Sequence, residues 1–334
     1  MKPSLLSLRP VSFLLISIVL LLRPAQGAET TVTYSIPNGT SYVGIPLLRP
    51  AVMKGRVNVV SAPDRLKVTL SEHSNLPANN RYFLEITASP RDPTLEGERW
   101  NLWAAGTTIT FPQAEVYLKL DHSGNTRADL PSNLEGCSFS VYPHWTLSSV
   151  FGGGSTPSVL RPARLIASAD RVTLERAGVT STYYLEQATG GYPYGRWRNT
   201  RGVHSDPCID PGSGLILERR GQTFRLTLTG EVRQHLLRRP LVAGLNLLSL
   251  PSLTTGSIGD LQLNQQGWNP DDELRIWRGS SLRRYKWIGG DGKWIGLDSI
   301  LGLNPEQAPL LQPTAGFILK KCSADPDFAL RPIP

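Results

Sequence analysis

The sequence predicts a mainly β fold, and three observations support this prediction. Glycine (31 residues) and proline (27 residues) recur along the chain and separate short runs of alternating character. These runs, such as TTVTYSI, RYFLEITA and TFRLTLTG, are rich in β-branched and aromatic residues, which is typical of strands. No apolar stretch keeps a helical period for long, so only short helices are expected, at PHWTLSSVFG, SIGDLQLNQ and LDSILG.

The clearest single element is a β-hairpin within RRYKWIGGDGKWIG, residues 283–296. Tyr285 and Trp287 alternate with charged residues, the GGDG segment tolerates positive φ, and the apolar phase resumes at Trp294. This register predicts that Trp287 and Trp294 lie opposite each other on one face of the hairpin.

Two parts of the chain carry the same ordered motifs, which predicts two β units built to one plan. PGSGLILERR (211–220) is nearly repeated as PTAGFILKK (313–321), and in both a Pro-x-x-Gly turn would launch an apolar strand. Arg219 and Lys321 are expected to mark the point where that strand emerges into water. Upstream, GRWRN parallels GKWIG, ARLIAS parallels ELRIWRG, and WTLSSVF parallels SIGDLQL.

The first unit contains a long segment that the second lacks, and this segment has alternating strands of its own. An insertion between positions that stay adjacent implies that its ends meet. The predicted organisation is therefore a signal peptide (1–27), a first β unit (28–51 and 143–240), an inserted small β domain resembling a barrel (52–142) and a second β unit (241–334).

The N-terminus has the layout of a secretory signal peptide. Lys2 and Arg9 precede an apolar run from Val11 to Leu22, and Ala25-Gln26-Gly27 offers small residues for cleavage. The run is shorter than a membrane span requires, and no later segment approaches one. We therefore expect export to the periplasm, the cell surface or the medium, with no transmembrane span after cleavage.

Charge argues against a nucleic-acid partner. The net charge is +8, and Lys2, Arg9 and Arg23 account for three of it, which leaves about +5 on the chain from Ala28 onward. The basic residues are scattered, whereas a nucleic-acid interface needs them clustered on one face. The two densest groups, in LERRG and HLLRRP, are expected to be solvated surface.

Cysteine and histidine spacing predicts no metal site and no cofactor. Cys137, Cys208 and Cys322 match no zinc or redox pattern, and one disulfide between Cys208 and Cys322 is the hypothesis for an oxidising compartment. The histidines have no metal-binding spacing and are expected on the surface or in turns. They are His73, His122, His144, His204 and His235. The DHSGNTRAD segment (121–129) breaks the register of a calcium loop and is better explained as a hairpin turn.

The ordered set SYVGIPLLRPAV, FSVYPHWTLSSVF, GRWRN, PGSGLIL, GLNLLSLP and PTAGFILKK resembles an uncharacterised paralogous family of secreted proteins from Verrucomicrobia. The second half is also similar to a surface-protein module of the form GWNLxSLP…PGxGYWI. The chain departs from that module at Leu245, where it usually has Trp, and at Phe317 and Ile318, where it prefers Tyr and Trp. The resemblance implies export and a β-rich layout, and it carries no activity, ligand or catalytic residue.

No catalytic motif stands out. Neither GGGST nor PGSGL provides the Gly-x-Ser-x-Gly of a nucleophile elbow. The densest acidic cluster, Asp271, Asp272 and Glu273, is better explained as a turn or strand start than as the paired carboxylates of a glycosidase. A secreted hydrolase is therefore the third hypothesis.

Aromatic residues supply the functional alternative. Trp197 and Trp294 recur at equivalent places and are expected in the core, whereas Tyr192 and Tyr194 in GGYPYG are expected to be exposed. The leading hypothesis is a non-enzymatic exported protein with a structural or interaction role in the envelope, whose partner is an envelope protein or a polysaccharide. The alternative is a carbohydrate-binding module that uses Tyr192, Tyr194 and Trp287.

Overall fold

The computed structural model describes residues 29–62, 65–70, 74–75, 81–102, 108–109, 115–121, 130–188, 191–260, 267–278, 281–288, 293–297, 311–326 and 328–332. Strands dominate these residues, which confirms the predicted mainly β class. The predicted signal peptide, most of the DHSGNTRAD segment, the GGDG loop and most of LDSILG lie outside the described residues.

The strands of the first half of the chain are β1 (Glu29–Ile36), β2 (Gly39–Gly44), β3 (Leu47–Leu48), β4 (Met53–Ala62), β5 (Arg65–Leu70), β6 (Ser74–Asn75), β7 (Tyr82–Ala88), β8 (Arg99–Leu102), β9 (Thr108–Ile109), β10 (Glu115–Asp121), β11 (Ser138–Pro143) and β12 (Trp145–Thr146). Those of the second half are β13 (Arg171–Arg176), β14 (Val179–Glu186), β15 (Arg196–Asn199), β16 (Cys208–Ile209), β17 (Gly214–Arg219), β18 (Phe224–Val232), β19 (Leu237–Arg238), β20 (Gly244–Ser249), β21 (Glu273–Arg278), β22 (Ser281–Ile288), β23 (Lys293–Gly296), β24 (Gly316–Lys321) and β25 (Ala329–Leu330).

Helical structure among the described residues is short. The α-helix α1 covers Leu147–Phe151, within the predicted PHWTLSSVFG segment, and 3-10 turns cover Pro93–Leu95, Ser132–Leu134 and Ile166–Ser168. A capping box starts α1, because the Thr146 hydroxyl accepts from the Ser149 backbone N–H and the Ser149 hydroxyl accepts from the Thr146 N–H.

Six strands close into a small barrel, in the order β10-β5-β4-β11-β7-β8 with β8 returning to β10. Alternate residues of β4, β7 and β11 point inward, so Met53, Val57, Leu84, Phe139 and Val141 share one apolar core. All six strands lie between Met53 and Pro143.

The remaining strands form what we call the framework. One five-stranded antiparallel sheet has the order β15-β14-β13-β17-β2, and the three-stranded sheet β1-β18-β3 packs with it around a single core. A second five-stranded sheet has the order β23-β22-β21-β24-β20, and its core includes Leu237 and Leu330 of the β19–β25 pair. Matching the strands in chain order, the two five-stranded sheets have the same strand order.

A buried aspartate at the start of one strand holds a basic residue at the end of another in both five-stranded sheets. Asp170, which is fully buried, accepts from the Arg219 guanidinium at 2.5 Å and from the Arg220 N–H at 2.7 Å. Asp272, also fully buried, accepts from Lys321 Nζ at 2.6 Å and from the Cys322 N–H at 2.8 Å. The expectation that Arg219 and Lys321 emerge into water was therefore wrong, because each is paired inside the protein.

The two Pro-x-x-Gly turns meet where the five-stranded sheets join. The Gly44 N–H donates to the Thr314 carbonyl, and the Ser249 N–H donates to the Gly212 carbonyl, both at 2.9 Å. A Cβ at Gly214 would lie only 2.5 Å from the Leu248 carbonyl oxygen, so this close approach requires glycine. Each turn thus contacts the edge strand of the opposite sheet.

A connecting segment, residues 233–239, ties the barrel to both sheets. Arg238 Nε donates to the Glu96 carbonyl at 2.8 Å on the barrel side. Arg239 is 7% exposed and bonds the Glu175 carboxylate at 2.7 Å. Its guanidinium also bonds the carbonyls of Gly212 and Leu247 at 3.0 and 2.8 Å. The predicted solvated surface at HLLRRP is thus a buried junction.

Candidate functional site

A cleft of about 590 Å³ lies between the outer face of the barrel and the chain that leaves β18. This volume falls in the range of small-molecule sites, roughly 300–1,000 Å³. The lining residues are Leu48, Lys54, Gly55, Arg56, Asn58, Thr69, Thr87, Ser138, Phe139, Ser140, Tyr142, Glu231, Val232, Arg233, Gln234 and His235.

The barrel wall of the cleft follows from strand alternation. Met53 and Val57 point into the barrel, so Lys54 and Arg56 point outward from β4. Lys54 lies opposite Ser140 on β11, and Ser140 lies opposite Glu85 on β7, which places these three residues in one outward row across three strands. A bulge at Thr87, where the β7–β11 register shifts, interrupts the sheet beside this row.

A buried ionic cluster lies beside the cleft. The same oxygen of Glu85 accepts from Arg233 Nη1 and lies 2.7 Å from His235 Nε2. The Glu85 and Arg233 side chains are only 1% and 2% exposed. Burial alone would raise the pKa of Glu85, but the charges of Arg233 and His235 outweigh it and hold the pKa at about 2. Glu85 is therefore a fixed negative charge at neutral pH.

Tyr142 contributes a buried phenol to the same wall. Its ring stacks on Phe83 with centroids 5.5 Å apart, and burial raises the pKa of its hydroxyl above the ordinary value. The hydroxyl consequently stays protonated over the physiological range and remains a hydrogen-bond donor.

A second buried polar pair lies nearby at the junction of barrel and framework. His144 is 3% exposed, and its Nε2 lies 2.8 Å from Asn101 Oδ1. Burial lowers the pKa of His144 to about 4, and the charges of Arg99 and Arg176 act in the same direction against Asp210. His144 is therefore neutral at pH 7.

This pair predicts a loss of stability in mild acid. In the unfolded chain His144 takes up a proton near pH 6.5, whereas in the folded protein it stays neutral until about pH 4. The free energy of unfolding should fall as pH decreases through this window, by roughly 3 kcal/mol in total. Urea unfolding at pH 7.5, 6.0 and 4.8 would measure this slope.

His144→Gln should flatten that pH dependence, because the substituted side chain does not titrate. The exposed His204, changed to Gln in the same way, should leave most of the slope in place. An unchanged slope in His144→Gln would contradict the assignment.

The structure corrects the expected surface positions of two histidines and of one of the three predicted ligand-binding aromatic residues. His144 and His235 belong to buried networks and not to surface turns. Tyr192 and Tyr194 are 40% and 42% exposed. Trp287, by contrast, is 6% exposed, so its assignment to a ligand-binding surface has to be corrected to a core position.

The predicted hairpin register places Trp287 in that core. Trp287 pairs with Trp294, and their rings meet edge to face with centroids 5.5 Å apart. Trp197 is likewise buried, and its Nε1 donates to the Gly152 carbonyl at 2.9 Å. These contacts confirm the register and the core positions of Trp197 and Trp294.

Tyr192 borders a second, shallower pocket of about 250 Å³ on the first five-stranded sheet. The Arg196 guanidinium lies 4.4 Å from the centre of the Tyr192 ring, so one ring face is already occupied by a cation. His204 and Asp206 also line this pocket.

The predicted disulfide between Cys208 and Cys322 is absent. All three cysteines are free thiols, with Cys137 and Cys208 buried and Cys322 exposed. Cys208 lies beside Arg81, whose Nη1 is 3.9 Å from its sulfur, and burial raises the pKa of the Cys208 thiol. The two positions do not correspond in the fold, because Cys208 belongs to β16, which pairs with β12, whereas Cys322 directly follows β24.

Each carboxylate of the acidic cluster at residues 271–273 pairs with a different cation. Asp271 pairs with Lys286 at 2.9 Å, and Glu273 pairs with Arg275 at 2.9 Å. Asp272 is buried with Lys321, as described above. The three carboxylates therefore serve separate ion pairs, which supports the expected strand-start role.

Within the described ranges, no group of three or more His, Cys, Asp or Glu side chains is arranged to hold a metal ion. The same part of the chain contains no helix that is both long and apolar enough to cross a membrane. No protein-family model, curated protein or solved structure matches this chain.

Proposed function

We propose that this chain is an exported, non-enzymatic protein of the cell envelope or cell surface with a structural or interaction role. The observation that carries the proposal is the use of charged residues inside the fold. Four basic residues are each buried against a carboxylate: Arg233, Arg239, Arg219 and Lys321. Arg233 anchors the connecting segment to the barrel, and Arg239 anchors the same segment to both five-stranded sheets. Such a scaffold would hold its outer surfaces in fixed relative positions for a partner.

The matching sheets support a further part of this proposal, that the framework consists of two copies of one unit. The Asp170–Arg219 and Asp272–Lys321 pairs occupy corresponding strand ends. Ser257 and Asp260 form the same reciprocal side-chain and backbone bonds as Thr146 and Ser149. Two framework units that share these contacts favour a structural role for the protein over catalysis at a single site.

Fractionation of cells that express the full chain tests the proposal. We expect the chain to be recovered from the periplasmic or surface fraction with a new N-terminus at Ala28. The purified chain from Ala28 onward should then be retained on isolated cell envelopes. Recovery of the uncleaved chain in the cytoplasm would overturn export, and failure to bind envelopes, peptidoglycan and polysaccharides alike would overturn the interaction role.

Carbohydrate binding at the exposed tyrosines is the second candidate function. It is favoured by the exposure of Tyr192 and Tyr194 and by the pocket that Tyr192 borders. Aromatic rings with one open face stack on the apolar face of sugars, and polar groups beside them bond the hydroxyls.

This candidate predicts that Tyr192→Ala or Tyr194→Ala weakens retention on an insoluble glycan without changing the thermal midpoint of unfolding. The matched control is Trp287→Ala, which should lower that midpoint because it empties a core position, at a cost of about 3–5 kcal/mol. Affinity electrophoresis in glycan gels and thermal unfolding measure the two effects. If the tyrosine variants lose stability and retention together, the candidate fails.

A further inference from the structure

We propose that the cleft between the barrel and the framework binds a small organic anion that carries a carboxylate and several hydroxyl groups, the chemistry of an acidic sugar. This inference names a ligand and a site for the interaction role proposed above and in that sense rests on it. Binding of a soluble ligand is measured independently of export and envelope retention, so the two proposals fail separately.

The charge of the cleft favours an anion. Lys54 and Arg56 point into it from β4 and make no ion pair among the described residues. The opposing Glu231, whose Oε1 accepts from the Ala51 N–H at 3.0 Å, keeps its negative charge and offsets one of these two cations. Glu85 compensates the charge of Arg233, so a surplus of positive charge remains in the cleft.

The shape of the cleft favours an organic ligand over an inorganic anion. At about 590 Å³ it is far larger than a bound phosphate or sulfate requires. A guanidinium and an ammonium on neighbouring outward positions of one strand match the two oxygens of a carboxylate by charge-assisted hydrogen bonds.

The rest of the lining favours hydroxyl groups on the ligand. Hydroxyl and amide side chains on four barrel strands also line the cleft: Asn58 and Thr69, which bond each other, and Thr87, Ser138 and Ser140. Such side chains both donate and accept, as sugar hydroxyls do. Leu48 and Val232 provide a small apolar area at the framework side, which suits the mixed polar and apolar faces of a sugar ring.

The buried ionic cluster beside the cleft holds one wall of the site in place. Arg233 and His235 are anchored on Glu85, and Tyr142 is anchored on Phe83, so one wall is fixed before a ligand arrives. A preformed wall reduces the entropy that binding costs.

Isothermal titration of the folded protein from Ala28 onward with digalacturonic acid tests the proposal. The matched ligand is its dimethyl ester, in which both carboxylates are esterified, so that the hydroxyls are kept and the charge is removed, and inorganic phosphate is the third probe. We expect the acid to bind, the ester to bind at least tenfold more weakly, and phosphate to bind more weakly than the acid. Higher salt should weaken binding of the acid, because Lys54 is partly exposed and Arg56 is exposed, and salt screens charges that solvent reaches.

Two substitutions locate the binding site. Lys54→Ala and Arg56→Ala should each weaken binding of the acid by about tenfold, or about 1.4 kcal/mol, since each removes a charge-assisted hydrogen bond. Arg225→Ala is the control, because Arg225 is an exposed cation of β18 outside the cleft, and it should bind as the unsubstituted protein does.

Any of four results would overturn the proposal, and the first three concern the acid, its ester and the variants. They are no binding of digalacturonic acid, equal binding of acid and ester, and equal affinities in Lys54→Ala, Arg56→Ala and Arg225→Ala. Phosphate binding as tight as that of the acid would likewise show that the cleft selects charge alone.

Discussion

Replacing Arg239 by alanine is expected to lower the free energy of unfolding by about 3–5 kcal/mol, because the change leaves the buried carboxylate of Glu175 without its cation. The loss also frees the carbonyls of Gly212 and Leu247, which Arg239 bonds at 3.0 and 2.8 Å. Urea unfolding followed by tryptophan fluorescence would measure it.

Arg239→Lys tests whether the positive charge at position 239 stabilises the protein without the planar guanidinium group. Lysine keeps the charge but cannot bond the carboxylate and two carbonyls with one planar group, so it should recover only part of the lost stability. Arg220→Ala is the matched control, since Arg220 is exposed at the end of the first repeated phrase. A loss below about 1 kcal/mol in Arg239→Ala, the value typical of an exposed ion pair, would show that Arg239 does not hold the junction together.

Asp170→Asn and Asp272→Asn should destabilise the protein by similar amounts, about 3–5 kcal/mol each, because each removes the closest counter-charge of a buried cation. Asparagine keeps the size of the side chain but removes its charge, so Arg219 would lie buried without a counter-charge and Lys321 would keep only the more distant Asp325, at 3.9 Å. Equilibrium unfolding of the two variants side by side tests the correspondence of the sheets.

The neighbouring Asp271 supplies the control for that pair of variants. Its side chain is 76% exposed and its partner Lys286 is partly exposed, so Asp271→Asn should change stability little. A large loss in only one of Asp170→Asn and Asp272→Asn would show that the two aspartates do not play corresponding roles.

Local patterns were enough to predict the β class and the best-marked elements. Alternation around GGDG correctly placed Trp287 opposite Trp294, because a short loop fixes the register of a hairpin. A short helix was also predicted within PHWTLSSVFG, and α1 forms there with a capping box that needs only the neighbouring residues Thr146 and Ser149.

The interior polar groups could not be predicted in the same way. Arg219, Arg239 and Lys321 were expected in water because basic residues usually lie there, and their carboxylate partners are 49, 64 and 49 positions away in the chain. The sequence comparison matched ELRIWRG with ARLIAS, and this match was wrong. The corresponding strand is RVTLER, because it pairs with β17 as ELRIWR pairs with β24, whereas the match with ARLIAS rested only on similar residues.

The cleft could not be predicted from the sequence. In YFLEITA the inward residues are Tyr82, Leu84 and Ile86, so Glu85 on the other face would be expected in water, and only its complete burial in the structure implies a covering partner. The sequence does not reveal that the partner is Arg233, which lies 148 positions later.

The junction of the two Pro-x-x-Gly turns bears on how the protein avoids self-association. Strands β2 and β20 are the terminal strands of their sheets, and unpaired backbone at such edges is a template for aggregation. At the junction each edge is covered at one end by the turn of the opposite sheet, through Gly44 and Thr314 on one side and Ser249 and Gly212 on the other. Opening this contact would uncover both edges at once, so we expect partly unfolded chains to precipitate and not to accumulate as soluble half-open molecules.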